Sequence, residues 1–125
     1  MSRSDDEVLQ FVTASFPSVW ALELLLTLKR DRRPWTRAEL VATLRASELV
    51  VSKAAEALVA AGLASIEGQA VNYLPVNRDV ELWIGEAERL YQTRPNKVRR
   101  GIVMASTRAA AAFSDAFKLR RDRDD

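Results

Sequence analysis

Three observations predict a mostly α-helical fold with one small β-hairpin. The chain of 125 residues is rich in Ala and Leu and has only 4 Gly and 4 Pro, a composition that favours helix. Helix-start signals recur along it: Ser4 with Glu7, Thr36 with Glu39, and Ser47 ahead of an apolar-patterned run. One stretch, residues 64–74, reads instead as two short strands around Gly68-Gln69. The length suits one domain, or one domain with an appended helical element, and a hydrophobic content of 48% is enough for a sizeable core.

Each element has its own local cause. Ser4 and Glu7 form a capping box in sequence, and Val8, Phe11 and Val12 share a face, so a first helix runs to about residue 14. Phe16-Pro17-Ser18 breaks it, because proline lacks a donor and suits a helix beginning. Residues 18–30 are apolar nearly all round (Val19, Trp20, Leu22, Leu24, Leu25, Leu26, Leu28), as a buried central helix requires. It ends in the cations Lys29 to Arg33, which suit a helix C-terminus. Pro34 and Trp35 read as extended. Thr36 then caps a helix with Leu40, Val41 and Leu44 facing inward, and Ser47 caps the next, which ends at Gly62, a residue suited to a left-handed cap. Strands follow at 64–67 and 70–74. Gly68 as the first central residue of a two-residue loop suits a type II′ turn, and Pro75 stops the second strand. Asn77 or Asp79 caps a helix whose stripe is Val80, Trp83, Ile84, Ala87, Leu90 and Tyr91. Thr93 to Asn96 reads as a linker, Lys97 to about Leu119 as one helix of about 33 Å, and residues 120–125 as frayed charge.

The run Val51-Ser52-Lys53-Ala54 leading to Leu58, then Ala61-Gly62-Leu63, then a hairpin ending Tyr73-Leu74-Pro75, resembles the winged helix-turn-helix of MarR-like bacterial regulators. The resemblance covers roughly residues 18–76 and rests on pattern. It implies an N-terminal helix (1–16), a winged helix-turn-helix (17–76) and a C-terminal helical extension (77–121) used for dimerisation. It also implies double-stranded DNA as the partner, with Arg37 and Arg45 on the phosphates, Ser52 and Lys53 on bases or phosphates, and Thr36, Ser47, Leu49, Glu56 and Gln69 completing the surface.

The residues fit that role unevenly. With Val51 taken as the inward direction, Ala54, Ala55 and Leu58 also point inward, and Leu49, Lys53, Glu56 and Ala60 point outward. Base edges need hydrogen-bonding groups, and this face offers few, although an aliphatic group can meet a thymine methyl. The hairpin tip, Glu67-Gly68-Gln69, has no cation for a minor groove. A second class of function therefore stands beside the first: a protein-interaction module that uses Leu49 and Val50 as apolar anchors. Positive charge lies beside the fold at Lys29 to Arg33, Arg37 and Arg45, and the helix start at Thr36-Arg37 suits a phosphate; the same cations would serve equally as a solvated rim.

Charge is unequally divided. Residues 1–96 hold 11 Lys/Arg against 13 Asp/Glu, whereas residues 97–125 hold 8 against 4. Arg94, Lys97, Arg99 and Arg100 gather at the start of the last helix, where cations oppose the macrodipole. A carboxylate-bearing neighbour or an anionic partner is expected there. Along the same helix Val98, Ile102, Ala105, Ala109, Ala112, Ala116 and Leu119 alternate at spacings of four and three, a heptad-like seam with Phe113 and Phe117 beside it. The seam serves either a homodimer or packing of the helix back on Trp83 and Tyr91.

With no His and no Cys, the usual general base and the soft metal ligands are missing, as are a Gly-rich phosphate loop and an activating partner for Ser52 or Ser106. An enzyme is not expected, and neither is a cofactor or metal. Residues 2–7 lead into a patterned helix rather than an apolar run, and residues 19–28 are too short to span a bilayer, so a cytoplasmic location without a membrane is expected.

Overall fold

The computed structural model describes the backbone of residues 3–123 and the side chains of residues 3–116. Six helices and three short strands follow in the order α1 (Asp5–Ser15), α2 (Val19–Arg30), β1 (Trp35–Thr36), α3 (Arg37–Leu44), α4 (Glu48–Ala60), β2 (Ala64–Glu67), β3 (Ala70–Tyr73), α5 (Arg78–Thr93) and α6 (Pro95–Arg123). The fold is mostly α with a small antiparallel sheet of strand order β1-β3-β2. Among the described residues no single helix is long and apolar enough to cross a membrane.

The helix starts follow the capping chemistry of the sequence. Ser4 with Glu7 and Thr36 with Glu39 close reciprocal capping boxes. The side-chain oxygens of Ser18, Ser47 and Asn77 accept from Ala21, Val50 and Val80 N–H at 3.2, 3.1 and 2.9 Å. At the other end of α4, Gly62 adopts φ +76°. Its N–H donates to the Val59 carbonyl while that of Leu63 donates to the Leu58 carbonyl, the paired bonds of a Schellman cap. In the hairpin Glu67 lies opposite Ala70. Gly68 has φ +60° and Gln69 is not left-handed, which matches the type II′ requirement of positive φ at the first central residue only.

One contiguous core runs through every helix. It joins Val8 and Val12 of α1, six residues of α2, Leu40, the inward face of α4 (Val51, Ala54, Ala55, Leu58), Val71 of the sheet, Ile84, Ala87 and Leu90 of α5, and Val98 and Ile102 of α6. The three segments expected from sequence, 1–16, 17–76 and 77–121, therefore share one interior. Each fully buried Leu or Ile contributes roughly 1.5–3 kcal/mol. α1 lies against both α5 and α6, with Phe11 stacked on Trp83 at 5.5 Å. A Cβ at Gly101 would come within 2.9 Å of Leu9 Cδ1, so glycine there leaves room for the Leu9 side chain between α1 and α6.

Four expectations are corrected. The linker at Thr93–Asn96 shrinks to Arg94, because Pro95 starts α6 at the one helical position where a missing N–H costs nothing. The last helix is correspondingly longer, 29 residues, and continues through residues 120–123. Trp20 is 39% exposed, since the first turn of α2 stands at the edge of the body. Lastly, the seam of α6 divides: Val98 and Ile102 are buried in the chain's own core, whereas Ala109, Ala112, Phe113 and Ala116 are exposed. Val98 and Ile102 thus have no apolar surface left to offer a second chain. Ala105 is half-buried at the boundary, and the Phe117 side chain lies outside the described residues.

Candidate functional site

The residues expected to meet DNA fall into two groups joined by α3. At one end, β1 pairs with β3 so that Thr36 lies opposite Ala70, which brings the hairpin tip with Gln69 beside the start of α3 with Thr36 and Arg37. At the other end, about 12 Å along α3, a tight turn places Arg45, Ser47 and Leu49 in succession. Lys53 and Glu56 continue along the outer face of α4, both exposed, with Ser52 half-buried.

The turn itself is unusual. Arg45 has φ 54° and ψ 43°, and no other non-glycine described residue has a positive φ. The left-handed conformation lets Ala46 N–H reach the Val41 carbonyl at 3.3 Å, so the chain reverses within two residues. A side chain with a Cβ costs about 1–2 kcal/mol in that conformation. The outward-pointing guanidinium is exposed.

Leu49, the residue that fits base reading least, is 65% exposed, so the described residues of α1 and α6 leave it open. Val50 is half-buried. The inward direction of α4 is the one expected, with Val51, Ala54, Ala55 and Leu58 all buried.

Electrostatics separate cations that serve the fold from those that stand free. Lys29 Nζ and Arg30 Nε share Glu88 at 2.7 and 3.5 Å. Arg32 reaches Glu81 at 3.4 Å and lies over the Tyr73 ring. Arg33 bonds Asp31 and Glu39 at 3.0 and 2.9 Å and stacks on Trp35 at 3.8 Å; Asp31 first, then Glu39, hold its pKa above the usual value. At the start of α6, Arg94 and Lys97 face Asp5 and Asp6 of α1 at 3.7 and 4.0 Å, so a carboxylate neighbour answers the cations set against the helix dipole. By contrast Arg37, Arg45 and Lys53 have no ion pair among the described residues.

The start of α3 is a poorer phosphate seat than its sequence suggests. The Glu39 carboxylate already accepts from Thr36 N–H at 2.9 Å, and the Thr36 hydroxyl accepts from Glu39 N–H at 3.1 Å. The N-terminal dipole therefore meets an internal anion, which leaves only the next two N–H groups free.

Sequence reasoning missed two features. A groove between α2, α3, α5 and α6 has the Tyr91 hydroxyl donating to Glu23 Oε1 at 2.7 Å, with Arg99 over the ring at 5.4 Å; burial, then the Glu23 bond, raises the Tyr91 pKa. Glu23 inside an apolar helix was the available signal. A second, more apolar groove runs between Trp20 and the α6 residues Val103, Ser106 and Ala110, and no local pattern brings α2 and α6 together. Among the described residues no cluster of acidic side chains could hold a metal ion.

Compared with family models, with curated proteins and with solved structures, the chain has no match.

Proposed function

We propose that the chain is a small DNA-binding transcriptional regulator built on a winged helix-turn-helix, MarR-like in pattern, and that it works as a homodimer in the cytoplasm. The observation that carries this reading is the order α2, β1, α3, α4, β2, β3 with strand order β1-β3-β2. A tight turn between two helices, flanked by a two-stranded wing, offers one helix to a major groove and a hairpin tip to its neighbour. The charge distribution supports it. Among the described residues Arg37, Arg45 and Lys53 of the α3–α4 unit are unpaired, as are Arg78, Arg99, Arg100 and Arg108 elsewhere, while the larger basic run at residues 29–33 is neutralised. In this reading Arg37 and Arg45 position the phosphates, Ser52 and Lys53 are the principal groove contacts, and Leu49 meets a thymine methyl.

Capture of genomic DNA fragments by the purified chain at physiological salt, with sequencing of the retained pool, tests the proposal. A discrete motif with two-fold symmetry is expected, with affinity that falls steeply as salt rises. Lys53→Glu should weaken binding across all sequences. Binding indifferent to that substitution would move the contact surface away from α4.

The 65% exposure of Leu49 favours one other reading, a winged helix that docks a protein through Leu49 and Val50. Folded protein that retains no DNA motif, together with a partner whose binding is lost on Leu49→Ser, would replace the first reading by the second.

A further inference from the structure

We propose that α6 pairs antiparallel with α6 of a second copy of this chain, with Arg108 of each copy beside the partner's Asp115. The inference deepens the dimer named above and supplies its geometry, but none of its support depends on DNA.

The first observation is a helix that outruns its body. At 1.5 Å per residue α6 extends about 43 Å. Val98 and Ile102 anchor it in the core and Ala105 is half-buried, after which every described residue from Ser106 to Ala116 is exposed, Phe113 at 74%. Ala105, Ala109, Ala112 and Ala116 continue the line of the two anchors, so the free part still faces the side on which the body lies. There it borders a groove of about 470 Å³ whose walls include Phe16 of the α1–α2 junction and Ala57 and Ala61 at the end of α4.

The second observation is the placement of charge. Between Gly101 and Ala116 the only charged residues are Arg108 and Asp115. They are one heptad apart and lie on the same flank of the alanine seam. In an antiparallel pair with Ala109 opposite the partner's Ala112, and Ala105 opposite the partner's Ala116, that flank position meets its own kind. Arg108 then falls beside the partner's Asp115, and two-fold symmetry makes the contact twice. In a parallel, in-register pair the flank position faces the residue five further on. Arg108 would then face the partner's Phe113, its charge unanswered, and only Asp115 would meet an opposite charge, at the partner's Arg120. Only a second copy running antiparallel answers both charges of the exposed stretch, and it does so within that stretch.

The third observation concerns area. An alanine seam lets helices approach to about 8 Å but falls short of the roughly 800 Å² per partner typical of a stable complex. In the same register Phe113 reaches the other flank, at the partner's Ser106. That residue borders the groove lined by Trp20, Val103 and Ala110, about 510 Å³. Seating Phe113 there covers the exposed aromatic surface of both residues and supplies what alanine lacks.

Sedimentation equilibrium of the full chain without DNA tests the pairing. The parent is expected to dimerise. Arg108→Asp and Asp115→Arg should each weaken the dimer roughly tenfold, as two attractive contacts become two repulsive ones. The variant carrying both exchanges should return to within about threefold of the parent. Both positions are exposed, so unchanged far-ultraviolet circular dichroism is expected throughout. The chain has no cysteine, so a mixture of Ala105→Cys and Ala116→Cys proteins reports direction under mild oxidation. A disulfide between the two variants supports the pairing, and one between two copies of the same variant overturns it. A monomer at tens of micromolar protein, or a dimer indifferent to the charge exchanges, overturns it as well. A dimer that meets every expectation and captures no DNA leaves the pairing standing and removes the regulator reading; a monomer that enriches a motif does the reverse.

Discussion

Lys29 Nζ donates to Glu88 Oε1 at 2.7 Å, with the two side chains only 21% and 16% exposed, and so ties the end of α2 to α5. Arg30 adds a longer contact to the same carboxylate at 3.5 Å. Glu88→Gln leaves two cations facing a neutral amide, one of them largely shielded from water. The expected cost is about 1–2 kcal/mol, read as a lower urea midpoint at unchanged slope. A variant as stable as the parent would mean that desolvation cancels the attraction and that the pair fixes only the α2–α5 geometry.

The Tyr73 hydroxyl is buried without a hydrogen-bond partner. Burial, and next the nearby Glu81 carboxylate, raise its pKa, so ionisation offers it no relief near neutrality. The ring itself is useful, lying under the Arg32 guanidinium at 4.7 Å. Tyr73→Phe keeps ring and cation contact while removing the orphaned group, and it is expected to stabilise the chain by about 1 kcal/mol. A drop in melting temperature would show that the hydroxyl is satisfied in solution by water.

These two sites also mark how far the sequence can be read. Caps at Ser4, Thr36, Ser47 and Asn77, the Gly62 stop and the Gly68 turn are local chemistry, and each of these elements forms where its residues ask for it. The inward face of α4 was equally legible, because helical periodicity is enforced within four residues. What stayed hidden depends on neighbours distant in sequence. Lys29, Arg30 and Arg32 read as free charge because their carboxylates, Glu88 and Glu81, lie some fifty residues away. The α6 seam read as continuous because nothing in its spacing reveals where the body ends, near Ala105. Trp20 read as core because its exposure depends on where α6 passes. For the candidate DNA surface, residue types were legible, but the proximity of Thr36 to the hairpin tip required the β1–β3 register.

Glu39 makes the start of α3 sensitive to acid. Its carboxylate is held below the ordinary 4.5, first by the Thr36 N–H and then by the Arg33 guanidinium and the Thr36 hydroxyl. A folded-state pKa below the unfolded one gives stability that is present above the unfolded value and lost as pH falls through the folded one. Stability should therefore decline on acidification below about pH 4.5. Glu39→Gln retains a capping side chain but no longer titrates, so its stability should fall less over the same range. Parallel acid profiles for parent and variant would show that other carboxylates carry the whole dependence.

Arg45 separates stability from function most cleanly. Its backbone at φ 54° and ψ 43° is one that glycine adopts without strain, and its side chain makes no ion pair or hydrogen bond among the described residues. Arg45→Gly relieves the steric cost and gives back part of the gain to the flexibility of the unfolded chain, so a net stabilisation of about 0.5–1 kcal/mol is expected. If the exposed guanidinium contacts phosphate, the same substitution weakens DNA binding and lowers its salt dependence by about one counterion. Arg45→Lys keeps the strain and the charge, so it should leave both properties near those of the parent. Urea unfolding and salt-dependent binding measured on the three proteins distinguish the cases. Opposite signs in the glycine variant mean that Arg45 is kept at a structural cost for contact with an anion. A stabilised variant with unchanged binding would assign Arg45 to the turn alone and leave Arg37 and Lys53 as the remaining free cations of the surface.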